Sequence, residues 1–311
     1  MGTEATMGVI ARQNWMQPLE EGLQKALHKL FGAAGPAGQK AKDFLNGTWV
    51  GHPLHVILTD IPLGTWTAAV AFDALDAASG RKHWKDAADA AIAMGLVGAA
   101  GAAVTGLTDW QDIDPPARRI GLTHAALNVG GVALFTASLL MRRRKSRGLG
   151  QAFSLLGYGL AMISARLGGN LVYGQAVGVD HTAGRELPEK FTPVLADSAL
   201  IAGQTIRSNY RGTPVLLVRS GERIFAMVET CSHLGGPLSE GKLEDDTIQC
   251  PWHGSRFALE DGRVLNGPAT HPQPCLEARV HKGQIEIRKR TPASEPSPTA
   301  VVEPSPAVTS S

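Results

Sequence analysis

The chain has 311 residues, room for about two domains, and a formal charge of +2, which excludes a globally basic nucleic-acid-binding surface. The mean hydropathy of −0.04 averages two unlike halves. Residues 54–177 are rich in Ala, Gly, Leu and Val, whereas 195–290 read as polar, alternating strands.

In chain order, residues 1–44 are expected to form an N-terminal tail. The tail has no apolar core of the signal-peptide kind. Gly2 and Thr6 match the myristoylation pattern Met-Gly-x-x-x-Ser/Thr, which is short enough to arise often by chance. Residues 45–180 are expected to form an all-α module of four transmembrane helices. The spans are 54–78, 87–107, 120–141 and 152–177, each near the roughly 20 residues that cross a bilayer. The third carries only His124 and Asn128 as strongly polar residues, so it lacks the polar face of a soluble surface helix. On the second, Gly98, Ala102 and Gly106 recur every four residues, a spacing that lets membrane helices approach closely. Asp60, Asp73 and Arg166 inside the spans favour the alternative, an Ala-rich soluble bundle. In a bilayer Asp60 and Arg166 would lie at similar depths and are expected to pair.

Four spans put both termini, His52, His55, His124, Asp109, Trp110, Tyr173 and Gln175 on one membrane face. The opposite face carries "RKHWK" (81–85) and "RRRKSR" (142–147), with eight Lys and Arg against six on the first face. The positive-inside rule therefore leans towards an exterior location for the C-terminal half, while the need to assemble a metal centre inside the cell leans the other way. The stretch "GTWVGHPLHVILTDIPLGTW" (47–66) resembles the opening of an uncharacterised family of four-helix bacterial membrane proteins. The likeness extends over 45–180, with the second histidine of its Gly-His-Pro start arriving one residue early at His55. It implies membrane spanning but no activity.

Residues 181–194 are expected as a linker and 195–290 as an all-β domain. "TPVLLVRS" (213–220) and "RIFAMVE" (223–229) flank the turn Gly221–Glu222, a hairpin signal, and "QIEIRKR" (284–290) reads as a closing, edge-like strand. Two loops follow the hairpin, "CSHLGG" (231–236) and "CPWHGS" (250–255), each with one cysteine and one histidine. Zinc is the plainest occupant of two Cys and two His, but structural zinc sites usually gather like ligands in pairs. The mixed order Cys231-x-His233 and Cys250-x-x-His253 suits a [2Fe–2S] cluster in which one iron takes both thiolates and the other both imidazoles. If Cys231 and Cys250 are ligands, Cys275 is left as a small core residue. The Pro/Ser/Thr-rich tail 291–311 has little to bury and is expected to be disordered.

"CSHLGGPLSEG" and "CPWHGSRFALEDGRVLNGPA", with the hairpin before them, resemble Rieske domains over 195–290. The resemblance implies that Cys231 and Cys250 bind one iron and His233 and His253 the other. It also implies that Leu234 and Pro251 shield the cluster and that Ser255 donates its hydroxyl to a sulfide. The disulfide that joins these loops in quinol-oxidising Rieske proteins falls here on Gly236 and Trp252, and Phe257 stands where a tyrosine often bonds a ligand sulfur. The ferredoxin type is therefore implied, with a reduction potential in the lower half of the Rieske range, roughly −150 to +50 mV. Only residues 291–311 follow the domain, so the second iron domain of a ring-hydroxylating oxygenase is not expected downstream. The expected function is a membrane-anchored carrier of single electrons between unidentified redox partner proteins. The alternatives are a redox-active membrane module holding haem or quinone, and a non-catalytic sensor or structural cluster. The candidate ligands of a b-type haem are His55 and His124, with His52 as substitute, and their plain alternative is a place at the polar interface.

Overall fold

The computed structural model describes residues 3–290. The expected disorder of 291–311 and the Gly2 of the acylation pattern lie outside the described residues. The stretch expected as a tail is helical: α1 (Thr3–Ala11), α2 (Gln17–Ala33) and α3 (Gly35–Asn46). Pro18 and Pro36 sit in the first turns of α2 and α3, where a missing N–H costs nothing, and Gly47 closes α3 at a left-handed φ of 83°.

Four long helices follow: α4 (Leu54–Ser79), α5 (Lys82–Trp110), α6 (Ala117–Arg143) and α7 (Arg147–Tyr173). Among the described residues these four are long and apolar enough to cross a membrane, with mean hydropathies of 1.2 to 1.8. Their burial is that of a membrane bundle. Large apolar side chains such as Val97 (75% exposed) and Val129 (70%) point outwards, and small or polar residues such as Ala69, Ser138, Ser154 and Ser164 fill the inside. α4 packs mainly on α5 and α6 mainly on α7.

Charges buried in the bundle form one network at the end away from the β domain. Arg142 reaches Asp73 and Asp89 (2.7 and 2.9 Å) and receives support from Ser138 and Ser154 (3.0 and 2.8 Å). Arg147 bonds Asp76 at 2.7 Å. Mutual pairing is how such charges survive in a low-dielectric interior. Asp60 and Arg166 both lie exposed on the flanks of α4 and α7.

The opposite end of the bundle is capped by α2 and α3. Arg118 bonds Gln24 and Glu20 (2.6 and 3.3 Å), Arg119 bonds the Ala11 carbonyl (2.6 Å), and buried Lys42 pairs with Asp112 at 2.8 Å. The 111–116 loop is tied to this cap by Lys42 at Asp112 and by Gln24 at the Ile113 carbonyl (3.1 Å).

The β half contains β1 (Thr192–Ala196), β2 (Thr205–Tyr210), β3 (Thr213–Ser220), β4 (Arg223–Val228), β5 (Lys242–Glu244), β6 (Thr247–Gln249), β7 (Arg256–Ala258), β8 (Val264–Asn266), β9 (Cys275–His281) and β10 (Gln284–Lys289). A six-stranded antiparallel sheet runs β1-β10-β9-β4-β3-β2 and a four-stranded one β5-β6-β7-β8. The hairpin at Gly221–Glu222 forms as expected, with Ser220 opposite Arg223. The strand expected at an edge does not lie there. β10 is flanked by β9 and by β1, because the end of the segment expected as linker joins the first residues of the expected β domain in a further strand, Thr192–Ala196, that uses β10's second row of backbone groups. Leu216, Val218, Phe225 and Met227 of the large sheet pack against Leu238, Ile248, Phe257 and Leu259, with Cys231 and Cys250 at the margin of that core.

Candidate metal centre

The two Cys/His loops leave β4 and β6 and share one hydrogen-bond pattern. In the first, Cys231 N–H donates to Gly236 O (2.8 Å) and Gly235 N–H to Cys231 O (3.0 Å). In the second, Cys250 N–H donates to Ser255 O (2.8 Å) and Gly254 N–H to Cys250 O (3.2 Å). The fourth residue after each cysteine therefore takes a left-handed φ, 79° at Gly235 and 77° at Gly254, where a side chain would be strained. Each turn curls its following N–H groups onto its own sulfur: those of His233 and Leu234 onto Cys231, and those of Trp252 and His253 onto Cys250.

The two loops bring all four side chains together. The thiols hydrogen-bond each other, which lowers the pKa of Cys250 and raises that of Cys231, helped in the second case by burial. Burial, followed by the charges of His253 and Lys42, holds His233 down to about 3. Burial likewise lowers His253, against the opposing pull of Asp112 and Asp114. The imidazoles are thus neutral donors at neutral pH, and one thiol proton leaves easily, the protonation that metal ligation needs. The two rings stand 5.1 Å apart between centroids, at 85°. Among the described residues no three His, Cys, Asp or Glu side chains converge on a point that one ion could occupy. A single tetrahedral zinc fits that arrangement poorly, whereas a two-iron cluster asks only two protein ligands of each iron.

The surroundings of the loops divide into shield and strut. Leu234 is half-buried, while Pro251 and Trp252 stand exposed at the tip of the second loop. Ser255 is fully buried, and its hydroxyl oxygen accepts the Ala269 N–H at 2.9 Å, leaving its own proton to be donated elsewhere. At Gly236 a Cβ would come within 2.8 Å of Cys250 Sγ and 3.1 Å of the Trp252 ring, so no side chain has room there. Cys275 packs half-buried against the core, and burial raises its thiol to about 11.

Several supporting residues escaped the sequence reading. Gln273, nearly fully buried, donates to the Val228 and Thr230 carbonyls (both 2.6 Å) and accepts the Ser232 N–H (3.1 Å), so it clamps the root of the first loop. Its visible signal is the sequence "HPQPC", in which flanking prolines hold a glutamine in extended backbone. Buried Glu229 accepts the Ser239 hydroxyl at 2.6 Å. The remaining supports come from outside the β domain, and no local pattern announces them. Asp114 Oδ2 lies 3.6 Å from His253 Nε2, Asp43 accepts the Gly267 N–H at 2.8 Å, and His181 N–H donates to Ser232 O at 3.1 Å. The histidine side of the centre thus rests on the cap formed by α3 and the 111–116 loop.

In the bundle, His55 and His124 face each other with ring centroids 6.4 Å apart. His55 Nδ1 lies 2.8 Å from Ala102 O, and His124 Nδ1 lies 2.8 Å from Ser164 O. His52 is exposed and makes only a long 3.4 Å contact with the Pro53 carbonyl.

These features define an iron–sulfur domain carried on a membrane module, and comparison with known proteins agrees for both parts. Residues 190–277 match the Rieske [2Fe-2S] domain and residues 51–181 the predicted membrane protein family DUF2231. Ferredoxin CarAc of Metapseudomonas resinovorans is 35% identical over 95 residues, 30% of this chain and 89% of that protein. The 3-phenylpropionate/cinnamic acid dioxygenase ferredoxin subunit of Escherichia coli is 40% identical over 77 residues, 24% and 73% of the two chains. A solved complex of reduced oxygenase and oxidized ferredoxin in carbazole 1,9a-dioxygenase contains a chain 32% identical to this one. That match covers 33% of this chain and 98% of the other, with a TM-score of 0.31. The chain belongs to the Rieske [2Fe–2S] family, as a ferredoxin-like electron-carrier domain joined to a predicted membrane module.

Proposed function

We propose that this chain is a membrane-anchored one-electron carrier whose centre is held by Cys231 and Cys250 on one iron and His233 and His253 on the other. The observation that carries the reading is the pair of equivalent turns that sets two mixed Cys/His pairs side by side, with their imidazoles 5.1 Å apart. When bound, the [2Fe–2S] cluster supplies a site that accepts and releases single electrons. The chain's own part is to hold neutral imidazoles and hydrogen-bonded sulfurs in place, and to keep water off with Leu234 and Pro251. Ser255, with its proton unclaimed by the protein, is the donor to a cluster sulfide. Reduced full-length protein is expected to give a Rieske electron paramagnetic resonance signal that His233→Cys alters. Stoichiometric zinc without iron in freshly isolated protein would sink the assignment.

The matched relatives are named as ferredoxin components of dioxygenases, which favours an oxygenase or reductase of that class as one redox partner. A second reading, in which the membrane module is itself redox-active through a haem or a quinone, is favoured by one contact: the outer nitrogen of His253 points at Asp114 of the module. We propose the cell exterior as the side of the β domain, on the distribution of basic residues. On the bundle face remote from it, Arg81, Lys82, Arg143, Arg144 and Lys145 form a basic belt. On the near face Arg118 and Arg119 meet Glu20, and Lys42 meets Asp112. Protease access to the C-terminus in spheroplasts, but not in inverted vesicles, is the expected result.

A further inference from the structure

The bundle is a duplicated helical hairpin. His55, Trp66, Ala69 and Asp73 of α4 correspond to His124, Phe135, Ser138 and Arg142 of α6, each 69 residues later. The first, second and fourth of these pairs meet across the bundle: the imidazoles at 6.4 Å, the aromatic rings stacked at 4.1 Å, and Asp73 with Arg142 in an ion pair. The second helices repeat as well. Gly95, Ala102 and Gly106 of α5 correspond to Gly157, Ser164 and Gly168 of α7. Gly95 and Gly157 lie against Trp66 and Phe135, while Gly106 and Gly168 lie against His55 and His124. A quasi-twofold axis therefore runs along the bundle and passes between the two imidazoles.

Deepening the redox-active reading of the module, we propose that this axis holds a haem whose iron is ligated by His55 and His124. Each Nδ1 lies 2.8 Å from a backbone carbonyl, which only accepts hydrogen bonds, so each Nδ1 carries the proton. The lone pair is left on Nε2, and an N–H tied to a carbonyl is the usual second contact of a metal-ligating histidine. At His124 the lone pair shows itself by accepting from Asn128 Nδ2 at 3.0 Å, a bond that gives way on ligation. Metal–nitrogen bonds of about 2.0 Å on either side of one metal leave imidazole centroids about 6 Å apart, close to the separation present. A quinol between the rings needs two hydrogen bonds of about 2.8 Å each plus its own width, which is too much. A bare ion is disfavoured too: such ions take three or four protein ligands, and no third His, Cys, Asp or Glu joins the pair among the described residues. Two imidazoles are the complete axial set of an iron that brings four porphyrin nitrogens. Gly106 and Gly168 let the rings nest against α5 and α7, since a Cβ at either place would come within 2.7 and 3.2 Å of an imidazole carbon.

The test uses the full-length protein reconstituted with haemin, read by pyridine haemochrome, by the dithionite-reduced visible spectrum and by the Rieske resonance of the same sample. The expected result is about one haem per chain with a sharp α-band. His55→Ala and His124→Ala should each weaken haemin retention more than tenfold while the Rieske signal stays. Asn128→Ala and His52→Ala should keep the haem, and His124→Met should keep it with a displaced band. A full Rieske signal with no bound haem overturns the proposal and leaves the carrier reading standing. Haem retained in both alanine variants, or zinc or copper held at the pair instead, overturns it as well. Haem with no Rieske signal upholds the proposal and overturns the carrier reading.

Discussion

Gly236 marks how little room the centre leaves. Its missing Cβ is what allows Cys250 Sγ and the Trp252 ring to close over the first loop. Gly236→Ala should push the two loops apart, and iron per chain should drop several-fold with the bundle still folded, as metal analysis beside a thermal scan would show. Ser255 acts by its proton instead. Ser255→Ala removes a donor and orphans the Ala269 N–H, at a cost of about 1–3 kcal/mol in stability. A lost hydrogen bond of about 1 kcal/mol corresponds to about 40 mV for a one-electron couple, and the reduction potential should fall by that order. An unchanged potential would leave Ser255 as a turn residue only. Phe257 is fully buried in the same core cluster as both cysteines, so Phe257→Tyr should lower the melting temperature by overpacking.

The elements of the bundle are held by the pairs that the duplication creates. Arg142 is buried between Asp73 and Asp89, and breaking such a pair by Asp73→Asn should cost about 3–5 kcal/mol. The exchange Asp73→Arg with Arg142→Asp should recover part of that loss, because the two positions are equivalent across the axis. Thermal unfolding of detergent-solubilised protein reads the coupling, and strictly additive losses would show that the positions do not interact. Span lengths, the Gly98–Ala102–Gly106 stripe and the Cys/His order were legible because each is a local pattern. The duplication was not, because only a few histidine and glycine counterparts are identical and the others differ in type: tryptophan answers phenylalanine, aspartate answers arginine. The arginines of "RRRKSR" read as a membrane-flanking cluster, yet Arg142 belongs to the buried network and only its structural partners reveal it. The helices within 3–46 and the strand at 192–196 were not legible for a related reason. α2 and α3 have amphipathic faces whose partners, Arg118 and Asp112, lie far off in sequence, and β1 gains its place only by meeting β10.

At the scale of the whole molecule the β domain sits on the module through contacts from three separate stretches: Asp43 with Gly267, Asp114 with His253, and His181 with Ser232. Asp43→Ala combined with Asp114→Ala removes two of them. At about 1 kcal/mol for the lost hydrogen bond and less for the long, half-exposed His253–Asp114 contact, cleavage of the 174–191 segment by added protease should quicken about tenfold. Equal rates in wild type and variant would show that these contacts do not hold the domain down. His181 also turns back to donate its Nε2–H to the Ala176 carbonyl, 3.0 Å away, so the connecting segment is folded on itself rather than slack. A carrier tethered this way does not deliver its electron by leaving. The gap between its histidine edge and the helices is set by the fold, so with the proposed redox group in the module, exchange across that gap would be first order. Its rate should not change on dilution of the protein or on thickening the solvent, and reduction by any soluble partner should show the opposite dependence on both.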